Sequence, residues 1–236
     1  MILMLESLNA SASTIARNLG IRRFLTKPSG YELARSILGK DFITPEDVMR
    51  SRKGVVYTEE QLSRLVSTVP SRKVLKWCYD NEHMLVAGPS RPLSLLEIRD
   101  LKSDDFFTNK GGRYGGGAFA STDKACPGWT TIRKRPLPWS HSKDWEAQQA
   151  LLSKAEEVPN VAEAAWGVTT FRAVRDTHLL TGVYVRTSSV ESDGFHVHIG
   201  DFGRGDGGLC VCYQKDSYCY EHLGIISSLK RKLLAA

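Results

Sequence analysis

Three short segments in the C-terminal half, residues 183–188, 195–202 and 209–213, alternate apolar and polar side chains. Successive side chains on a strand point to opposite faces, so this alternation specifies strands buried on one side only. Asp193-Gly194 separates the first two segments, and Gly203-Arg204-Gly205-Asp206-Gly207-Gly208 separates the last two; both are turn chemistry. A one-residue slip would invert the buried face, which makes the register decidable. With Gly194 left-handed in a bulged turn, Phe195, Val197 and Ile199 fall beside Val183, Val185 and Thr187, and Leu209, Val211 and Tyr213 join that apolar face. The other face then carries Tyr184, Arg186, Ser188, His196, His198, Gly200, Cys210, Cys212 and Gln214.

An antiparallel meander with one apolar face needs a cover, and residues 159–178 supply it. Val161, Ala164, Val168, Phe171 and Val174 recur at helical spacing, Asn160 and Glu163 suit the first turn, and Gly182 lies beyond the end. The first 82 residues read as short helices over 6–19, 31–38 and 71–79, with further helix starts at Thr44-Pro45-Glu46-Asp47 and at the capping box Thr58-Glu59-Glu60-Gln61. None is long enough to stand alone in water. Residues 84–87 read as a buried strand, 94–101 as a helix, 129–135 as a strand, and 142–155 as a helix with Trp145, Leu151 and Leu152 turned inward. Residues 221–234 mix apolar and basic side chains without a clear period. The expected fold is α+β: a helical, basic part over 1–107, a glycine-rich loop or linker over 108–128, and a helix-covered antiparallel meander over 129–236. Whether the parts share one core is left open by the pattern.

Composition enters where partners are concerned. The net charge is +6, and residues 1–120 hold 18 Lys/Arg against 13 Asp/Glu while residues 121–236 hold 14 against 13. The basic excess therefore sits in the first half, which favours an anionic partner there. With 42% apolar and 25% charged residues the chain is globular, and no stretch approaches the roughly 20 apolar residues of a membrane span. Five scattered cysteines and an apolar start that meets Glu6 without a basic flank suit a reduced, cytoplasmic protein.

Two sets of residues carry candidate chemistry. Arg17, Arg22, Arg23 and Lys27 surround a segment resembling part of a helix-turn-helix, while Arg113 in the glycine loop and Arg133-Lys134-Arg135, near Trp129 and Trp139, offer charge with stacking for a single strand. These point to nucleic acid. His196, His198, Cys210 and Cys212 share the polar face of the meander, with His198 opposite Cys212, and form the candidate zinc set. The Gly203–Gly208 run spells a dinucleotide fingerprint, but a strand follows it where that fingerprint opens a helix, so it is a hairpin loop. No nucleophile sits at a strained turn or helix start beside a base. The expectation is a non-enzymatic intracellular binding module, possible partners being nucleic acid through the basic half. The alternatives are a zinc protein, with no other cofactor expected, or a protein–protein adaptor using the meander edge.

Gly182-Val183-Tyr184-Val185-Arg186-Thr187-Ser188-Ser189, then Gly194 and Gly200-Asp201-Phe202, together with Phe42-Ile43-Thr44-Pro45-Glu46-Asp47 upstream, resemble a pattern in an uncharacterised family of bacterial proteins with no assigned activity. The resemblance runs from about Leu33 to the C-terminus and implies a bacterial-type unit without implying a site.

Overall fold

The computed structural model describes residues 29–107, 115–203 and 207–234. The expected helix over 6–19 and the candidate residues Arg17, Arg22, Arg23, Lys27 and Arg113 lie outside the described residues.

Among the described residues the helices are α1 (Gly30–Leu38), α2 (Pro45–Ser51), α3 (Glu59–Ser67), α4 (Arg72–Asp80), α5 (Leu95–Leu101), α6 (Phe119–Thr122), α7 (Trp145–Gln149), α8 (Val161–Arg175) and α9 (Arg231–Leu234). The starts of the early helices follow from local chemistry. Ser29, Thr44, Thr58 and Ser94 each accept a hydrogen bond from the backbone N–H three residues on, while Glu32, Asp47, Gln61 and Glu97 reach back to the cap's own N–H. Two orphan donors are thereby satisfied at each start.

The strands are β1 (Phe42–Ile43), β2 (His83–Ala87), β3 (Leu93–Ser94), β4 (Lys124–Ala125), β5 (Trp129–Arg133), β6 (Glu156–Glu157), β7 (Tyr184–Val190), β8 (His196–Gly200), β9 (Cys210–Tyr213), β10 (Leu223–Ile225) and β11 (Ser228–Leu229). One sheet runs β1-β2-β5, with β1 parallel and β5 antiparallel to β2. It joins chain from both sides of residues 108–128. Within that stretch, β4 pairs with β3 before it, and Phe119, Ala120 and Ala125 are core residues. A single apolar cluster runs from Ala34 to Leu234, so the two sides of the glycine-rich stretch share one core.

The second sheet has the order β10-β7-β8-β9. Val185 pairs with Ile199 and His198 with Cys212, the register that alternation specifies. Gly194 is left-handed (φ +80°), and its N–H donates to the Glu191 carbonyl at 2.8 Å. The structure adds a bulge between Arg186 and Val190, and a fourth strand: β10 runs parallel to β7 with Leu223 opposite Tyr184. β10 leaves no alternating signature because both its faces are covered, residues 223–229 being buried throughout.

The helix expected to cover the meander does so, but it is not a one-sided cover. Ten of the fifteen residues of α8 are buried, because it packs against β4 and β5, against β7 and β8, and against α2 and α5. A helix apolar all round is a core helix, and one stripe was all the spacing could reveal. It ends at Arg175 with Asp176 left-handed (φ 49°), a few residues short of the expected end at His178, so Asp176 and not Gly182 closes it. Trp166 donates its indole N–H to the Ala87 carbonyl at 3.0 Å. Arg52, fully buried just beyond α2, lies 4.8 Å over the Trp166 ring and donates to Thr170 at 3.0 Å and to Thr169. The expected helix over 142–155 shrinks to α7, and Leu151 is 37% exposed rather than inward. The buried residue there is Gln148, whose amide donates to the carbonyls of Ser140 (2.8 Å) and Leu223 (3.0 Å).

Gly167 sets how closely α8 meets the first sheet. A Cβ at this position would lie 2.7 Å from Ile132 Cγ1 and 3.1 Å from Met84 Cε. Gly167→Val should therefore cost about 1–3 kcal/mol through overpacking, seen as a lower urea midpoint with an unchanged m value. An unchanged midpoint would contradict the close approach.

Candidate functional site

The four expected zinc residues share a face but do not converge. His198 lies opposite Cys212, while Cys210 lies opposite Gly200. His196 is four residues from Gly200 along β8, roughly 13 Å at strand spacing. Its ring stacks on Trp145 with centroids 3.6 Å apart, and Nδ1 lies 2.8 Å from Asp216 Oδ2. The backbone N–H of His196 donates to the same carboxylate, so this histidine clamps the chain around Asp216 to the sheet. Among the described residues no group of three or more His, Cys, Asp or Glu is placed to hold a metal ion.

Arg186, opposite His198, organises what lies beneath that face. It is fully buried and donates to Gln148 Oε1 (2.8 Å) and to the carbonyls of Lys143 (3.1 Å), Asp216 (3.3 Å) and Tyr218 (2.6 Å). Asp201, farther along the sheet, accepts from the Gly182 N–H and the Tyr184 hydroxyl. Burial, and then the Arg186 charge, push His198 down to about 4, so its imidazole is neutral at pH 7. His198 Nδ1 and Arg186 Nε are both buried without a hydrogen-bond partner. Beside His198 opens a pocket of about 310 Å³, lined also by Tyr184, Cys212, Gln214, Tyr220, His222 and Leu223.

The Arg133-Lys134-Arg135 run is split by strand geometry. Arg133 is 6% exposed and its guanidinium bonds Glu82 at 3.2 Å. Lys134 turns the other way and donates to Asp41 at 2.5 Å. Arg135 is the exposed member, 3.9 Å from Glu82. Lys134 and Arg135 line a cleft of about 460 Å³ together with Lys40, Asp41, Thr177, His178 and Thr181, over Phe171. Lys40 has no ion pair among the described residues, and Asp41, the cleft's carboxylate, is already matched by Lys134. Arg172 donates to His178 at 3.4 Å, and Arg175 donates to the carbonyls of Lys40 and Phe42. These arginines offset the negative end of the α8 dipole at the cleft. The two tryptophans named with this run part company: Trp129 is core, donating to the Leu65 carbonyl at 2.9 Å, while Trp139 is 84% exposed with φ of 63°.

One cluster escaped sequence reading. Ser227, His83 and Glu156 come together in the interior at 0%, 1% and 7% exposure. Ser227 donates to Glu156 at 2.8 Å and lies 3.3 Å from His83 Nε2, whose Nδ1 is 2.8 Å from the Asn81 carbonyl. Residues 83, 156 and 227 have no spacing that announces them. Burial opposes charge on Glu156, but hydrogen bonds from Ser227 and Ser153 outweigh it and hold the carboxyl below its ordinary range. Burial lowers His83 to about 4, so His83 and Glu156, 3.8 Å apart, are not an ion pair at neutral pH and meet only through the Ser227 hydroxyl between them. A hydroxyl so enclosed is a structural link between β6 and the β10–β11 segment, not a nucleophile a substrate can reach.

The buried neutral histidines set a pH dependence. Both lie below an exposed imidazole, so the unfolded chain takes up protons first, and stability present above pH 6.5 is lost as pH falls toward 4. For His198 the loss is on the order of 3 kcal/mol. His198→Gln should flatten the pH profile of the denaturation midpoint across this window; a profile identical to wild type would contradict the buried neutral imidazole. Among the described residues no helix is long and apolar enough to cross a membrane. Comparison with protein-family models, with curated proteins and with solved structures finds no match to this chain.

Proposed function

We propose that the protein is a non-enzymatic intracellular binding module for single-stranded nucleic acid, with phosphates in the Lys40–Arg135–His178 cleft and a base stacked on Trp139. The observation that carries this reading is Trp139. A large aromatic side chain 84% exposed on a left-handed backbone is costly on two counts, and it stands four residues from Arg135. Four extended residues reach at most roughly 14 Å, so a strand anchored in the cleft can lay a base on the indole. Cationic side chains tracking the backbone beside an aromatic platform are what sequence-tolerant single-strand binding requires. Lys40 belongs to the half of the chain that holds the basic excess.

Fluorescence anisotropy with labelled single-stranded RNA and DNA tests this directly. Affinity should fall with salt, by about 0.7 log units per log unit of salt for each phosphate neutralised. Lys40→Ala and Arg135→Ala should each weaken binding and flatten that slope by about one phosphate's share. Trp139→Ala should cost about 1–3 kcal/mol with the slope unchanged. Absence of binding at low salt, or full affinity in Trp139→Ala, would contradict the proposal.

A further inference from the structure

We propose that the pocket beside His198 is a nucleobase site, taking one unpaired base of the strand that the cleft holds. The inference rests on reading that cleft as a nucleic-acid surface, but its own evidence is separate. The pocket holds about 310 Å³, at the small end for ligand sites and suited to a base or nucleoside. None of its lining residues is a carboxylate, an ammonium or a guanidinium, so it holds no permanent charge. It offers planar hydrogen-bonding groups and aromatic walls instead.

Three features point to a base rather than to another neutral molecule. The Gln214 amide, half-buried in the pocket, makes no hydrogen bond among the described residues. A free amide presents a donor and an acceptor in one plane, the pairing that reads a purine edge. Among the described residues the His198 ring makes no hydrogen bond either, and it stays neutral at physiological pH, so it brings one N–H donor and one acceptor nitrogen. The Nδ1 atom is buried without a partner, a cost that a hydrogen bond from or to a ligand at this nitrogen would relieve. The ring of Tyr184, edge-on to His198 with centroids 5.4 Å apart, and that of Tyr220 supply π-faces.

Position links the pocket to the cleft. Val183 lines the cleft and Tyr184, the next residue, lines the pocket. The two sites therefore adjoin at the start of β7. The chain from Pro136 to Ser142 passes between them: Gly224 lies against Pro136, and the Ser142 N–H donates to the Tyr220 carbonyl at 2.9 Å. Trp139 sits on that connection. A strand leaving the cleft over Trp139 would arrive at the pocket with a base to bury.

The test uses free nucleosides, which carry no phosphate and therefore report on the pocket alone. Adenosine, guanosine, cytidine and uridine are titrated against the full chain by calorimetry and saturation-transfer NMR, with oligonucleotide anisotropy run in parallel. At least one nucleoside should bind saturably at one site. Gln214→Ala should weaken it roughly tenfold or more, and Gln214→Glu, which can only accept, should shift preference toward cytidine. Because Gln214 is partly exposed, both variants should keep the wild-type circular dichroism. No nucleoside binding while oligonucleotides bind would overturn the pocket and leave the cleft standing. Nucleoside binding without oligonucleotide binding would support the pocket and sink the cleft. Stoichiometric zinc uptake without nucleoside binding would overturn the inference in favour of a metal site.

Discussion

The burial of α8 on every side is the constraint from which the rest of the architecture follows. A helix that presents Gly167 to one sheet and its other faces to a second sheet and to helices leaves those elements little freedom. The close approach at Gly167 sets the spacing to Ile132 and Met84; Trp166 ties the helix to β2 through the Ala87 carbonyl. Its first turn is fastened to β7, where the Val161 N–H donates to Ser189 Oγ at 2.8 Å. Arg52 is a charged group buried against this helix. It survives there because Thr169 and Thr170 accept from it and the Trp166 ring faces its charge, although burial still lowers its pKa to about 10.

The outer face of the second sheet is built by the same rule applied to polar groups. Arg186 is enclosed and donates to one amide and three carbonyls, which pins the chain around Lys143–Gln148 and around Asp216–Tyr218 to the strands. His196 performs a similar service through Asp216 and Trp145. His198 is left with a buried nitrogen that nothing satisfies. Together with the uncommitted Gln214 amide, that nitrogen marks the pocket more clearly than the clustering of His and Cys in sequence.

Local chemistry and alternation were legible in the sequence. The caps at Thr44, Thr58 and Asn160, and the register placing His198 opposite Cys212, depend on neighbours a few residues apart, and all appear as expected. What needed the third dimension was less legible. α8 was readable as a helix but not as a core helix, since a stripe is visible in spacing and a second apolar face is hidden by small residues such as Ala162 and Ala165. β10 had no alternation to show. The basic cleft gathers residues 40, 134, 135 and 178, and the contiguous Arg133–Arg135 run disguised the inward turn of Arg133. Trp129 and Trp139 look equivalent in sequence, and only burial distinguishes a core ring from an exposed platform.

The central structural claim is that chain before and after residues 108–128 forms one cooperative unit around α8. Native-state hydrogen exchange across a urea series measures this most directly, because amides protected by the same opening share its free energy and its urea dependence. The account predicts that the amides of Trp166–Phe171, of β2 and of β8 merge into a single isotherm matching global unfolding. Loss of protection in β8 at a lower free energy, with β2 and α8 still closed, would show two separable cores and contradict it.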